Sequence, residues 1–226
     1  MRGLFVTGTD TGVGKTVLAG AICAALASRG ERVAALKPAV TGLDEPPGDW
    51  PPDHELLAAV ASARQGPDEV APYRYGPPLS PHYAAELAGE RIEPAGLLTA
   101  ARAAASDSDA LVVEGVGGLM VPLTPGYLVR DLAVDLELPV VVAARTGLGT
   151  INHTLLTIAA ARAGGLRVAG VAMTPWPSAP APIERSNRDA VGRFGAVGVS
   201  GVPPTAPEAL AAAGSTLPLD DWLAAE

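Results

Sequence analysis

Gly8-Thr9-Asp10-Thr11-Gly12-Val13-Gly14-Lys15-Thr16 decides the fold. Before it, Leu4-Phe5-Val6-Thr7 is an apolar run of strand length. After it, Val17-Leu18-Ala19-Gly20-Ala21-Ile22-Cys23-Ala24-Ala25-Leu26 reads as helix. A strand, a glycine-rich turn, Gly-Lys-Thr and a helix form the context of a phosphate-binding loop. Successive backbone N–H groups and the helix N-terminus there point at an anion. Glycine lets the backbone take positive φ and approach the phosphates closely. Lys15 reaches the β- and γ-phosphates, and the Thr16 hydroxyl is placed to ligate Mg²⁺. The strict spacing wants Gly five positions before Gly14; Thr9 stands there, with Gly8 one place earlier, so the loop is a variant.

The 226 residues suit one α/β domain or two small ones, and 48% hydrophobic residues suffice for a substantial core. No apolar run is long and uncharged enough to span a bilayer. The chain enters its first strand almost at once, so no signal peptide is expected. A lone cysteine, Cys23, forms no internal disulfide and suits a reducing cytoplasm; its place in the first helix marks it as core. A net charge of −8 with no Lys/Arg cluster argues against nucleic acid or an anionic membrane as partner. There are 14 arginines but only two lysines, Lys15 and Lys37. Two surviving lysines point to places where a compact ammonium is needed and a guanidinium fork fails.

Outward from the loop, the first helix runs to Arg29 and stops at Gly30. Arg32–Lys37 is the second expected strand, and a loop rich in Pro and acid spans Leu43–Pro52. Asp53 is placed to cap a helix over His54–Arg64. Pro72–Pro81 is expected to be irregular, followed by helices over Tyr83–Ala88 and Pro94–Ser106. Ala110–Glu114 is a buried strand leading to a sharp turn at Gly115–Gly118, then a helix over Tyr127–Leu138 and a strand over Pro139–Ala144. Next come a helix over Ile151–Ala163, a strand over Arg167–Met173 and a proline-rich loop over Thr174–Pro182. A helix over Ile183–Phe194, a strand over Ala196–Val202, and helices over Pro207–Ala213 and Asp220–Ala225 complete the chain. Continuous apolar strands alternating with helices predict a mostly parallel central sheet with helices on both faces: a P-loop NTPase-like α/β fold, one domain over residues 1–226. Ligands in such sheets bind beyond the carboxyl ends of the strands.

Three oxygen ligands are candidates for one Mg²⁺: Thr16, Glu114 at a strand end, and an acid from the loop, where Asp53 is favoured over Asp49. A helix cap is the competing reading of Asp53. Lys37 ends a strand neighbouring the first, about 4.8 Å away, close enough to hold a substrate anion and a transferring phosphoryl together. Thr41 could donate to the same anion or merely stabilise a turn. Gly147-Leu148-Gly149-Thr150-Ile151-Asn152-His153 is a second glycine-marked helix start, either an anion site or ordinary helix entry. His54 and His82 lack metal-ligand spacing and read as surface or loop residues; His153 is open between site and structure.

The chain resembles ATP-dependent dethiobiotin synthetases. The likeness rests on Gly8–Thr16, Lys37-Pro38 with Thr41-Gly42, Ser80-Pro81-His82, Val113–Gly118 followed by Val121-Pro122-Leu123, and Leu148–His153, and it is weak beyond Met173. It implies a cytoplasmic homodimer of biotin synthesis acting on 7,8-diaminononanoate, CO₂, ATP and Mg²⁺ through a carbamate and a carbamic–phosphoric anhydride. On this likeness Lys37, Lys15 and Thr11 are the candidate catalytic residues, and Thr16, Asp53 and Glu114 hold the metal. Gly12, Val13, Gly14, Lys15, Thr16 and Val17 would bind nucleotide, together with Gly115, Val116 and Gly117. Thr41 would contact substrate, and Gly149, Thr150, Ile151 and Asn152 would receive its carboxylate across the dimer interface. Thr174 stands where many members have an Asn that reads adenine, and Pro203-Pro204 lies beyond the last strand beside it. Thr offers a hydroxyl in place of a carboxamide, so weak base selectivity is expected. The rival is a ParA/MinD-type regulatory ATPase, whose extra signature lysine would fall at Asp10.

Overall fold

Six apolar runs become one six-stranded parallel sheet in the computed structural model, which describes residues 1–46 and 48–224. The first half contains β1 (Gly3–Gly8), α1 (Lys15–Ser28), β2 (Val33–Leu36), β3 (Ala39–Val40), α2 (Asp53–Val60), α3 (Pro67–Val70), β4 (Tyr73–Arg74), α4 (Pro81–Leu87), α5 (Pro94–Ser106) and β5 (Ala110–Gly118). The second contains β6 (Pro122–Thr124), β7 (Tyr127–Leu128), α6 (Val129–Asp135), β8 (Val140–Ala144), α7 (Thr150–Ala163), β9 (Val168–Met173), α8 (Pro182–Gly195), β10 (Val199–Gly201), α9 (Leu210–Gly214) and α10 (Leu219–Leu223). The sheet order is β10-β9-β8-β1-β5-β2, so β1 lies between β8 and β5 near the middle. The phosphate loop therefore emerges at the centre of the sheet's carboxyl edge.

Alternation along each strand feeds two cores. Phe5, Leu36, Leu111, Val113, Val140 and Val142 face one, with α5, α6 and α7. Leu4, Val6, Val33, Val112 and Val141 face the other, with α1, α9 and α10. Each fully buried Leu, Ile or Val contributes about 1.5–3 kcal/mol, so both faces hold the sheet. Helix α1 is buried almost all round because the sheet and α9 cover opposite sides of it. Gly214 permits that: a Cβ there would stand 2.0 Å from the Ala21 carbonyl oxygen.

The parallel sheet and its main helices follow the sequence reading, and five details differ. The strand that leads to Lys37 is not the neighbour of the first, because β5 is inserted between β1 and β2, so Lys37 comes to the phosphate loop from two strands away. The expected helix over His54–Arg64 ends at Val60, because the following residues instead serve the edge of β2: Ser62 Oγ accepts from Val33 N–H, and Gln65 bonds both ways with Ala35. Pro72–Pro81 is not wholly irregular, since Tyr73–Arg74 pairs in parallel with Ala39–Val40. Gly115–Gly118 continues β5 rather than turning, and the helix expected from Tyr127 begins at Val129 behind the hairpin β6–β7. The terminal helix runs Leu219–Leu223; the last residue expected in it, Ala225, lies outside the described residues, as does Pro47 of the acidic loop.

Candidate active site

The loop after β1 reaches α1 through Gly14, whose φ of 86° is the left-handed region open to glycine. A Cβ on Gly14 would also stand 2.5 Å from Thr174 Cγ2. Among the described residues, no backbone N–H from Gly12 to Thr16 has a protein acceptor. These free donors at a helix N-terminus form an anion cradle. Lys15 Nζ donates to the Asp10 carbonyl 2.9 Å away, folding its ammonium back over the loop. Burial, then the charge of Lys37, lowers its pKa to about 8. An arriving polyanion relieves both effects.

Beyond the loop, three strand or helix ends converge. Lys37 follows β2 and is 3% exposed. Its Nζ lies 2.5 Å from Glu114 Oε1, 2.6 Å from Asp53 Oδ2 and 3.2 Å from the Gly115 carbonyl oxygen. Thr16 Oγ1 lies 2.8 Å from Asp53 Oδ1 and 2.9 Å from Glu114 Oε1, so its one proton serves either carboxylate. Burial alone would lower the Lys37 pKa, but the two carboxylates outweigh it and hold the ammonium above its usual range. Burial opposes ionisation of Asp53, yet Lys37 and Thr16 bring its carboxyl below the ordinary value. For Glu114, wholly buried, desolvation wins and its carboxyl is raised despite Lys37. Glu114 Oε2 is buried without a partner.

Asp53 is not a helix cap. It is the first residue of α2, Pro52 holds the cap position, and its carboxylate serves Thr16 and Lys37 instead. Asp49 makes no ion pair among the described residues and lines none of the cavities. One hydroxyl and two carboxylates clustered at the phosphate loop are hard oxygen donors, and a buried carboxylate oxygen without a partner is ready for a cation. This set fits Mg²⁺, which takes one or two carboxylates and completes its shell with phosphate and water. No group of three or more His, Cys, Asp or Glu able to hold a metal occurs among the described residues, so the set does not form an all-protein cage.

A cavity of about 590 Å³ opens over this cluster. Thr11, Gly12, Gly14, Lys15, Thr16 and Val17 line it, with Lys37, Thr41, Asp53, Glu114, Val116 and Gly117. A second cavity of about 310 Å³ shares Gly12, Gly14 and Val17 with the first and adds Val13, Thr174, Pro203 and Pro204. The distant pair Pro203-Pro204 thus lines one cavity with Gly12, Val13 and Gly14 of the phosphate loop. Gly149, Thr150, Ile151 and Asn152 line neither cavity. They form the start of α7, where Gly149 and Asn152 are exposed and Thr150 is buried, with Gly149 at φ 91° and Thr150 Oγ1 donating to the Arg145 carbonyl. Trp50, which lines both cavities, was not singled out from the sequence, and Ser80 at the wall of the larger one entered only as part of the Ser80-Pro81-His82 likeness, with no role attached. Their signals were faint: an aromatic in a loop of Pro and acid, and a Ser-Pro pair. His54 is 5% exposed inside α2 rather than on the surface, and burial lowers its pKa. His82 lies in α4. Cys23 is fully buried and its thiol is pushed up to about 12, which suits a core residue.

A parallel sheet with a glycine loop at its central strand, and a lysine, a hydroxyl and two acids around it, defines a P-loop nucleotide-binding protein. A family described as an AAA domain matches residues 2–211, well past the last motif recognised in the sequence. Among curated relatives, an ATP-dependent dethiobiotin synthetase BioD of Anaeromyxobacter dehalogenans is 48% identical over 173 residues, 76% of each chain. That of Bacillus licheniformis is 39% identical over 204 residues, covering 90% of this chain and 86% of the relative. The chain belongs to the ATP-dependent dethiobiotin synthetase family. It is an ATP-using ligase of biotin biosynthesis. Among solved structures, a ParA family ATPase from Chlorobium tepidum matches with a TM-score of 0.55 at 11% identity, covering 95% of this chain and 90% of its own, which speaks to the fold. Among the described residues no helix is long and apolar enough to cross a membrane.

Proposed function

We propose that the two joined cavities carry out the carboxylation and ring closure of 7,8-diaminononanoate with CO₂, using ATP and Mg²⁺. Residues 1–226 act as one unit. The observation that carries the reading is the convergence of the chain's only two lysines on one cavity, with Thr16, Asp53 and Glu114 between them. An amine of the substrate adds to CO₂ and loses a proton, giving a carbamate. A carbamate oxygen attacks the γ-phosphorus as the bond to the β-phosphate oxygen breaks. The second amine then attacks the carbamoyl carbon, and inorganic phosphate leaves as the ring closes.

Little covalent chemistry falls to the protein, so positioning and charge carry the catalysis. Lys15, beside free N–H donors, would hold the β- and γ-phosphates; Thr11, which lines the same cavity, would stand beside the transferring group. Lys37 would bridge the carbamate and the γ-phosphoryl oxygens, neutralising the charge that builds between them. Thr41 would donate to the carbamate. Thr16, Asp53 and Glu114 would hold Mg²⁺, which when bound supplies charge neutralisation on the phosphates. Gly115, Val116 and Gly117 would form the floor below it, with Val13, Thr174, Pro203 and Pro204 around the base. Gly149, Thr150, Ile151 and Asn152 would take the substrate carboxylate of a partner subunit. Two exposed apolar side chains near these residues support that homodimer: Leu148 (92%) in the turn before α7 and Leu156 (61%) within it. We place the reaction in the cytoplasm, with neither nucleic acid nor membrane as partner. Phosphate release from ATP that depends on both the diamine and bicarbonate tests the proposal. Equal release without the diamine would instead indicate a regulatory ATPase.

A further inference from the structure

Arg145 follows β8, the neighbour of β1, and its side chain turns toward the back of the phosphate loop. Its Nη2 donates to the Thr11 carbonyl oxygen at 3.1 Å. It lines neither cavity, whereas Thr11 and Gly12 line the larger one. No carboxylate lies within ion-pair distance of it among the described residues. In a trans peptide the carbonyl and the next N–H point in opposite directions. Drawing the Thr11 carbonyl toward Arg145 therefore turns the Gly12 N–H away from the guanidinium, and that N–H has no protein acceptor among the described residues. The peptide between Thr11 and Gly12 needs such a hold. Gly12 sits at φ +67°, and glycine lets this plane flip at little steric cost.

We infer that Arg145 is a positioning residue for the nucleotide: it acts from behind the loop, through the Thr11–Gly12 peptide, to keep the Gly12 N–H aimed at the phosphates. A second contact makes the hold rigid. Thr150 Oγ1 donates to the Arg145 carbonyl oxygen at 2.7 Å, so the first turn of α7 fixes the backbone that carries the guanidinium. The role is specific to an unpaired guanidinium or ammonium here, since the acceptor is a carbonyl and the donor must reach it from the adjacent strand. This inference rests on the reading of Gly8–Thr16 as the triphosphate site.

Direct binding to the full chain tests it, with ATP and with adenosine as probes. Loss of one charge-assisted hydrogen bond behind the cradle makes Arg145→Ala bind ATP about tenfold more weakly. Adenosine, which has no phosphates, should bind both proteins within twofold. Arg145→Lys keeps a donor of similar reach and should recover most of the lost affinity. The ATP ratio should persist in about 0.5 M KCl, where exposed charges are screened beyond roughly 4 Å. Arg145 is exposed, so the thermal midpoint should stay within about 2 °C. ATP affinity within twofold of wild type for Arg145→Ala overturns the inference. So does a ratio that collapses in high salt, which would indicate simple charge attraction, or an equal loss for adenosine. Lys15→Ala separates the two levels: wild-type ATP affinity in that variant would remove the triphosphate reading itself.

Discussion

Replacing Lys37 by Met should destabilise the nucleotide-free protein by about 3 kcal/mol, and adding Glu114→Gln should restore most of it. Glu114 is fully buried, and the Lys37 ammonium is its ion-pair partner at 2.5 Å. Removing one partner of a buried pair costs about 3–5 kcal/mol, because the remaining charge keeps its desolvation penalty. Glu114 has one escape, uptake of a proton, and burial already raises its carboxyl toward that state. The lower end of the range therefore applies. Asp53 adds little, since its side chain is 37% exposed and water can replace the ammonium. With both Lys37→Met and Glu114→Gln the cavity holds two neutral groups of similar volume, and the net cost falls to about 1 kcal/mol or less. The second substitution therefore recovers about 2 kcal/mol of the loss. Urea unfolding of the four proteins without nucleotide or Mg²⁺ measures it directly.

A pH arm adds a sign. In Lys37→Met, Glu114 keeps a folded-state pKa above its unfolded value. The folded protein then holds a proton that the unfolded chain gives up. That stabilisation is complete below the ordinary carboxylate pKa and is lost as pH rises through the raised one. The deficit of Lys37→Met should therefore narrow as pH falls through the raised Glu114 value toward the ordinary carboxylate range. Ring closure should fall about a thousandfold in both the single and the double variant, since neither restores the ammonium at the transferring group. A double variant as unstable as Lys37→Met would refute the pairing argument. A stable double variant with wild-type turnover would refute the catalytic one.

Asp53→Asn should raise the Mg²⁺ concentration for half-maximal turnover at least about tenfold, a loss typical even of outer-shell partners, and an unchanged Mg²⁺ titration would return Asp53 to a structural role. Gly14→Ala should cost about 1–2 kcal/mol for left-handed backbone plus the clash with Thr174 Cγ2, and Thr174→Ser in the same chain should recover the clash share in urea unfolding; no recovery would show the contact to be slack. CTP or GTP should support turnover within about tenfold of ATP, a gap of about 1.4 kcal/mol, because on the proposed placement of the base Thr174 would offer it a hydroxyl and the neighbouring walls are prolines; strict dependence on ATP in a nucleotide panel would refute this.

The residues that were legible are those whose chemistry and local pattern coincide. Lys15, Thr16 and Gly14 sit in a motif whose spacing is the turn itself. Lys37 and Glu114 end apolar runs, and a parallel sheet places strand ends side by side whatever lies between them. Asp53 was ambiguous because Asp before a helical pattern is a cap signal, and only the third dimension shows its carboxylate on Thr16 and Lys37. The pairs β3–β4 and β6–β7 were missed because two- and three-residue strands have no periodicity to read. The end of α2 was misplaced for a related reason. Ser62 and Gln65 leave the helix to satisfy the edge of β2, and a sequence window does not contain that partner. Trp50 and Ser80 come from loops, where placement depends on what the sheet presents.

The fold alone does not separate a ligase from a regulatory ATPase. A ParA family ATPase shares it at 11% identity, so the scaffold is indifferent to which reaction is run. What distinguishes this chain lies in a few positions at one edge of the sheet. Asp10 occupies the place of the rival class's signature lysine, and its carbonyl receives Lys15. The second ammonium comes instead from the end of β2, buried between two acids. A lysine on the loop moves with the loop. A lysine held by β2, Glu114 and Asp53 has a fixed place, against which, in the proposed reaction, a carbamate and a γ-phosphate would be registered. Fixed placement is what phosphoryl transfer between two anions demands, because their mutual repulsion must be offset before the reacting oxygen and phosphorus can meet. The burial that makes Lys37 costly to remove is therefore the same feature that fits it for the chemistry.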